Sequence, residues 1–373
     1  MAERAVHIII AGGGTGGHLF PGIALARCFM ARHPENRVLF VGTDREFETK
    51  TLAREGFDHL AIRAAGIKGL GLFSKMKAAF KIPGALSQSA DIIESFKPDL
   101  IIGVGGYSSG PVALSARLQG IPVVVQEQNI LPGITNRIIG KFATRVHVSF
   151  DESLPFFNGK KVRMSGNPVR QTILDARQRR ENRKAQGETK DFTLLVAGGS
   201  QGAHSINQAM IESLAHIADR EYLKVIHQTG EADQEVVWEA YERQGIRADV
   251  AAFFTDMDEK YERADLVICR AGATTLSEIT VMGLPSILIP FPFAADNHQV
   301  KNALALVNKG AAEMIENSDL SGSFLASRIS YYRDNPDDLW RMEKASLAYG
   351  KPLAAETIVD DCYDILKMDT QKP

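Results

Sequence analysis

HIIIAGGGTGGH, His7–His18, is the stretch on which the fold turns. The apolar run Val6–Ala11 reads as a buried strand. Gly12–Gly17 fits GxGxxG, and Pro21–Arg32 follows as an amphipathic helix. Strand, glycine turn and helix in that order make the first unit of a Rossmann-like domain. The same pattern returns as TLLVAGGSQGAH, Thr193–His204. Ala11, Gly12, Gly16 and His18 recur as Ala197, Gly198, Gly202 and His204, each 186 residues later. An ancient duplication and a chance likeness of two strand–glycine–helix units both account for this. Both imply two Rossmann-like domains.

The βαβ rhythm extends outward from each copy. In the first half, Arg37–Val41, Leu100–Gly103, Val123–Gln126 and Val146–Val148 read as strands, with a helix over Glu46–Glu55. In the second, Phe192–Ala197, Leu223–Gln228, Val250–Phe254, Leu266–Cys269 and Ser286–Pro290 read as strands. Ser205–Ala218, Asp233–Gln244, Thr275–Met282 and Gln299–Lys309 read as helices. The fold class is α/β with parallel sheets. The boundary falls near Gly166-Asn167-Pro168, giving domains over 1–166 and 167–350. The charged stretch Asp175–Lys190 reads as a solvated helix and loop. In the tail, 351–373, Ile358, Cys362, Ile365 and Leu366 recur at helical spacing, so that helix needs a partner face.

The chain has 373 residues, 45% of them hydrophobic and 24% charged, enough for two cores. With 43 basic and 45 acidic residues the net charge is −2, which speaks against nucleic acid as a partner. Cys28, Cys269 and Cys362 are far apart and odd in number, which fits a reducing compartment. No apolar run approaches the ~18 residues of a membrane span.

Three glycine loops follow apolar strands: Gly12–Gly17, Gly198–Gly202 and Gly103–Gly110. Strand ends are where ligands bind in open α/β sheets, and helix starts there favour phosphate. His18 directly follows the first loop and is a candidate general base. Completing a helix start is its plain structural role, and His204 reads mainly that way. Thr275-x-x-Glu278 is a capping box by pattern, yet the Glu278 carboxylate also suits the vicinal diol of a ribose. Asp296-Asn297-His298-Gln299 suits sugar hydroxyls or helix capping. Glu127-Gln128-Asn129 and Asn136-Arg137 form another polar set at a strand end. Residues 61–90 contain no acid before Asp91. Leu72, Phe73, Met76 and Phe80 stand there among Lys75, Lys77 and Lys81, a composition suited to an anionic membrane surface or to a core-facing helix with solvated lysines.

AGGGTGGHLFPGIALA, GVGGYSSGP, QEQNILPGITNR, SGNPVR, VAGGSQGAHSIN and the run Arg270–Gln299 stand together in this order. Together they resemble the family-28 glycosyltransferases that add N-acetylglucosamine to the lipid-linked muramyl-peptide precursor of peptidoglycan. The resemblance covers nearly the whole chain. It implies a GT-B fold, two Rossmann-like domains facing across a cleft, with the last helix returning to the first domain. UDP-N-acetylglucosamine would be the donor and the undecaprenyl-diphosphate-linked muramoyl-pentapeptide (lipid I) the acceptor, giving lipid II. Anionic membrane and other cell-wall synthesis proteins would be partners at the cytoplasmic face of the bacterial inner membrane. By the same resemblance, Thr15, Gly16, Gly17, Asn129, Arg170, Ser200 and Gln201 would contact the donor. Phe254 and Ala273, Thr274, Thr275, Leu276, Ser277 and Glu278 would surround its uridine, and Gln299 would hold its sugar. Tyr107 and Asn136 would meet the acceptor near His18 and Glu127, the first and second candidate bases. Some relatives carry Gln-Gln where this chain has His298-Gln299.

The implied reaction inverts the anomeric centre in a single displacement. Backbone N–H groups around Ser200–Gly202 would stabilise the leaving diphosphate, so no metal or cofactor is expected. Rival readings are a nicotinamide oxidoreductase, a UDP-N-acetylglucosamine epimerase or hydrolase of the same fold, and a non-enzymatic UDP-sugar sensor.

Overall fold

The computed structural model describes residues 4–63, 82–185, 191–199, 201–218 and 220–369. The chain divides into two compact units, Met1–Arg170 with Pro352–Pro373, and Gln171–Lys351.

In the first unit seven parallel strands form one sheet: β1 (His7–Gly12), β2 (Arg37–Gly42), β3 (Asp58–Ala61), β4 (Leu100–Gly105), β5 (Val123–Glu127), β6 (Arg145–Val148) and β7 (Val162–Met164). Their order is β3-β2-β1-β4-β5-β6-β7. The chain winds outward from β1 through β3 and returns to β4 on the other side of β1. The crevice between β1 and β4 is therefore the switch point, where such sheets bind ligands. The β1–β4 register is regular from Ile8↔Leu100 to Ala11↔Gly103, then shifts so that Gly12 faces Gly105. The two glycine loops thus leave the sheet side by side.

Successive residues Ile8, Ile9 and Ile10 are all fully buried, because both faces of the sheet are covered. Ile8 and Ile10 pack with Leu19, Ile23 and Phe29 of helix α1 (Gly16–Arg32). Ile9 packs on the opposite face with Val112, Ala113 and Ile139. Each such side chain contributes ~1.5–3 kcal/mol by leaving water.

The C-terminal helix (Ala354–Asp369) belongs to this unit. Its face Ile358, Val359, Cys362, Tyr363, Ile365 and Leu366 enters the same cluster as α1. Asn36 Nδ2 donates to Tyr363 Oη at 2.8 Å, and Arg145 Nε donates to Asp361 at 2.6 Å.

The second unit repeats the winding: β8 (Phe192–Ala197), β9 (Leu223–Gln228), β10 (Arg247–Ala251), β11 (Leu266–Cys269), β12 (Ser286–Leu288) and β13 (Glu313–Met314), ordered β10-β9-β8-β11-β12-β13. The strand expected over Val250–Phe254 runs earlier, Arg247–Ala251. Phe254 has turned off the sheet, its N–H donating to Gln228 Oε1 at 3.0 Å. The strand expected to reach Pro290 ends at Leu288, and proline could not have donated to a ladder. The charged helix Gln171–Ala185 is not wholly solvated. Arg180 is buried and its guanidinium donates to the carbonyls of Glu262 and Ala264, closing a helix end.

Candidate active site

The first glycine loop is built around a carboxylate that the chain supplies itself. Gly12, Gly13 and Gly14 all have positive φ, at 130°, 150° and 88°. A Cβ on Gly12 would stand 2.1 Å from Gly105 O, and one on Gly13 2.4 Å from Glu48 Oε1. Glu48, on helix α2 (Glu46–Glu55), is fully buried under the loop. It accepts from Gly14 N at 2.9 Å, Thr43 Oγ1 at 2.8 Å and Thr43 N at 3.2 Å, and His59 Nε2 lies 3.4 Å away. Burial by itself would raise this carboxyl, but His59, Thr43 and Gly14 outweigh it and hold it below its ordinary range. Arg45 completes the clamp by donating to Gly14 O at 2.9 Å. An N–H that the motif offers to a ligand anion is thus already taken. Thr15 and Gly17, one step further on, are exposed.

His18, in the first turn of α1, is half-buried, and its Nδ1 lies 3.0 Å from Gln128 Oε1. The ring lies against β4, where a Cβ on Gly105 would meet it at 2.9 Å. Behind it the polar set at the end of β5 is almost wholly buried. Glu127 accepts from Asn129 N at 2.9 Å, Gly133 N at 3.1 Å and Asn136 Nδ2 at 2.9 Å. Burial raises its carboxyl despite these bonds. Both oxygens of Glu127, the second candidate base, are hydrogen-bonded within the 127–136 turn. Two buried acceptors in this region, Asn136 Oδ1 and Ser108 Oγ, have no protein partner. Tyr107, beside Ser108, is 47% exposed. Arg170 lies over the Phe20 ring, 4.6 Å from its centroid.

In the second unit the matching loop is shaped by backbone. A Cβ on Gly202 would meet Thr229 O at 2.0 Å, and one on Gly230 would meet Gln201 O at 2.6 Å. Gln228 ties the loop to Phe254, donating to Gly199 O at 2.9 Å while accepting from Phe254 N. Gly199 has open space where a Cβ would stand, and Gln201 is exposed. Ser200 lies outside the described residues, as do Leu72, Phe73, Lys75, Met76, Lys77, Phe80 and Lys81. His204 is 72% exposed, with Nδ1 3.0 Å from both oxygens of Asp233.

The Thr275–Glu278 capping box does not form. The helix starts earlier, over Ala273–Met282, with Gly272 as its N-cap and no side-chain cap. Thr275 therefore sits inside the first turn, three positions past the N-cap Gly272, too late to cap. Glu278 is buried and accepts from Tyr261 Oη at 3.1 Å. Helix His298–Val307 also lacks a side-chain cap. Asp296 and Asn297 before it both adopt the left-handed region, at φ 56° and 54°, which aspartate and asparagine tolerate better than other non-glycine residues. Gln299 accepts from Phe291 N at 2.9 Å, fixing the Pro290–Asn297 loop.

The glycosyltransferase family 28 N-terminal domain matches residues 8–148, and the C-terminal domain of the same family matches 193–358. The chain belongs to glycosyltransferase family 28. Among family-28 relatives, a UDP-N-acetylglucosamine–N-acetylmuramyl-(pentapeptide) pyrophosphoryl-undecaprenol N-acetylglucosamine transferase of Myxococcus xanthus is 46% identical, covering 96% of this chain and 93% of its own. A transferase of the same name from Anaeromyxobacter is 47% identical over 97% and 94%. The crystal structure of Acinetobacter baumannii MurG superposes with a TM-score of 0.76 at 28% identity, covering 95% of this chain and 98% of that one. A UDP-GlcNAc 2-epimerase from Neisseria meningitidis has a TM-score of 0.67 at 13% identity, covering 95% and 98%, a likeness of fold alone. The two α/β domains with parallel sheets are the ones read from the sequence.

Several residues that shape the glycine loops and strand ends of each unit have no local signal in the sequence. Glu48 stands in an ordinary charged helix, and only its position below the Gly12–Gly14 turn makes it a loop ligand. Asp233 is similar, 29 residues from the histidine it orients. Arg270 was visible only as the start of a motif. It crosses to Ser205 Oγ, Asn317 Oδ1 and the carbonyls of Ile289 and Pro290, joining the strand ends of the second unit.

Proposed function

We propose that this chain is an inverting N-acetylglucosaminyltransferase. It moves GlcNAc from UDP-GlcNAc to the 4-hydroxyl of the muramoyl sugar in lipid I, giving lipid II. The observation that carries this reading is full-length identity of 46–47% to transferases so named, against 13% to an epimerase of the same fold.

In this reading the second unit takes the donor. Glu278 receives the ribose hydroxyls, Phe254 and Ala273–Ser277 surround the uridine, and Gln299 the sugar. The open backbone at Gly199 and the start of helix His204–Ser213 receive the diphosphate, supported by Ser200 and Gln201. Thr15, Gly16, Gly17, Asn129 and Arg170 contribute donor contacts from the first unit. The acceptor belongs to the first unit. The unsatisfied Asn136 Oδ1 and Ser108 Oγ and the exposed Tyr107 support a polar acceptor pocket near His18. His18 takes the proton of the attacking hydroxyl as its oxygen bonds to C1 of the sugar. The C1–O bond to UDP breaks on the opposite face, and N–H groups at the second loop meet the charge that develops. No metal takes part. The basic apolar stretch containing Leu72–Lys81 holds the chain on an anionic membrane at its cytoplasmic face.

The test is UDP release from UDP-GlcNAc with and without a lipid I analogue. Release that depends on the analogue, and survives EDTA, is expected. Equal release without it, or formation of an epimerised sugar, would sink the transferase reading. Activity abolished by EDTA and restored by magnesium would overturn the metal-free step.

A further inference from the structure

Behind His18 stand three buried carboxamides whose hydrogen bonds all run one way. Asn167 Oδ1 accepts from Gln126 Nε2 at 2.9 Å. With that nitrogen committed, Gln126 turns Oε1 toward Gln128, whose Nε2 donates to it. The same Nε2 donates to the Val104 carbonyl at 2.7 Å. A backbone carbonyl can only accept, so reversing the Gln128 amide would set its oxygen against two acceptors. Gln128 must therefore face His18 with Oε1, which stands 3.0 Å from Nδ1. Gln126, Gln128 and Asn167 are 0%, 1% and 2% exposed, so water does not compete for these bonds. A buried donor or acceptor left unmade costs ~1–3 kcal/mol, which is what holds the direction of the series.

We propose that Gln128 is a positioning residue that keeps the ring proton of neutral His18 on Nδ1, and so keeps its basic lone pair on Nε2. Gln126 and Asn167 fix Gln128 in turn. This rests on the reading of His18 as the base. A carboxamide oxygen also accepts from Nδ1–H after Nε2 has taken the acceptor's proton, so the ring need not rotate during the reaction. Unlike a carboxylate, the amide adds no full negative charge beside the ring, and it selects the tautomer by geometry alone. Gly105 makes the arrangement possible, since any Cβ there would push the imidazole off Gln128.

The experiment is ¹⁵N NMR of the full chain labelled at histidine, with the His18 signals assigned through His18→Gln. Above the titration range, wild type is expected to show a protonated Nδ1 and an unprotonated Nε2. A wild-type His18 with its proton on Nε2 would overturn the proposal without any variant. Gln128→Met, which keeps the shape and removes the acceptor, is expected to shift the proton toward Nε2. It should also lower kcat by ~10–10²-fold with KM for UDP-GlcNAc nearly unchanged, a smaller loss than removing the base itself. Gln126→Met should move the same signals less. An unchanged tautomer in folded Gln128→Met would overturn the proposal. If instead the tautomer is as proposed but His18→Ala turns over normally, the base reading fails and the positioning geometry stands.

Discussion

His18 and His204 occupy the same place in two sheets of the same winding, at the start of the helix that follows the first glycine loop. Their surroundings have diverged. His18 is half-buried and faces a neutral amide, whereas His204 is mostly exposed and faces a carboxylate. The loops before them differ in the same sense. Gly14 N donates to the buried Glu48, while Gly199 in the second loop has open space where a Cβ would stand. The first loop is closed over a buried carboxylate, and in the proposed reaction it holds the base while the second loop receives the diphosphate. Topology alone would have assigned them the same role.

Removing each histidine in turn should have very different effects. His18→Ala should lower kcat by ~10²–10⁴-fold, the range for loss of a general base. His204→Ala should stay within about threefold, since an exposed side-chain contact of this kind is worth little. Steady-state kinetics on both folded variants decides it, and equal losses would make the two positions equivalent after all.

A smaller effect is expected from Glu48→Gln, which keeps the size and removes the charge that closes the first loop. It should cost ~1–3 kcal/mol of stability, read by denaturant unfolding. The pH dependence has a definite sign. Glu48 is held below the ordinary carboxylate range, so its contribution is present above its unfolded value of about 4.3 and is lost as pH falls through the folded one. The gap between wild type and Glu48→Gln should therefore be widest near neutrality and close in acid. A gap that widened in acid would contradict the assigned charge state.

The fold was legible because its signals are local. HIIIAGGGTGGH and TLLVAGGSQGAH each hold strand, turn and helix start within twelve residues. The spacing of Ile358, Cys362, Ile365 and Leu366 likewise marked a buried face, which lies against α1. What stayed hidden was what each side chain meets across the sheet. Thr275 and Glu278 have capping-box spacing, but the helix begins at Ala273, and no pattern of residue types fixes a helix start to one residue. Glu127 reads as a free carboxylate in sequence, and its burial beneath the 127–136 turn appears only once β5 is placed. Glu48 was invisible as part of a site, and Gln128 was visible only as one of a polar set with no partner assigned, for a related reason. Their partners are 34 and 110 residues away in the chain and meet them only at the β1–β4 switch point.

In the proposed reaction these two equivalent loops differ in their share of the donor, the second holding its nucleotide and the first touching it only through Thr15, Gly16 and Gly17. Amide hydrogen exchange in saturating UDP tests it most directly. Protection is expected over Gly198–His204 and Ala273–Glu278, with Gly12–Gly14 exchanging as in the free protein because Glu48 already occupies that turn. Protection at Gly12–Gly14 with none in the second unit would contradict it.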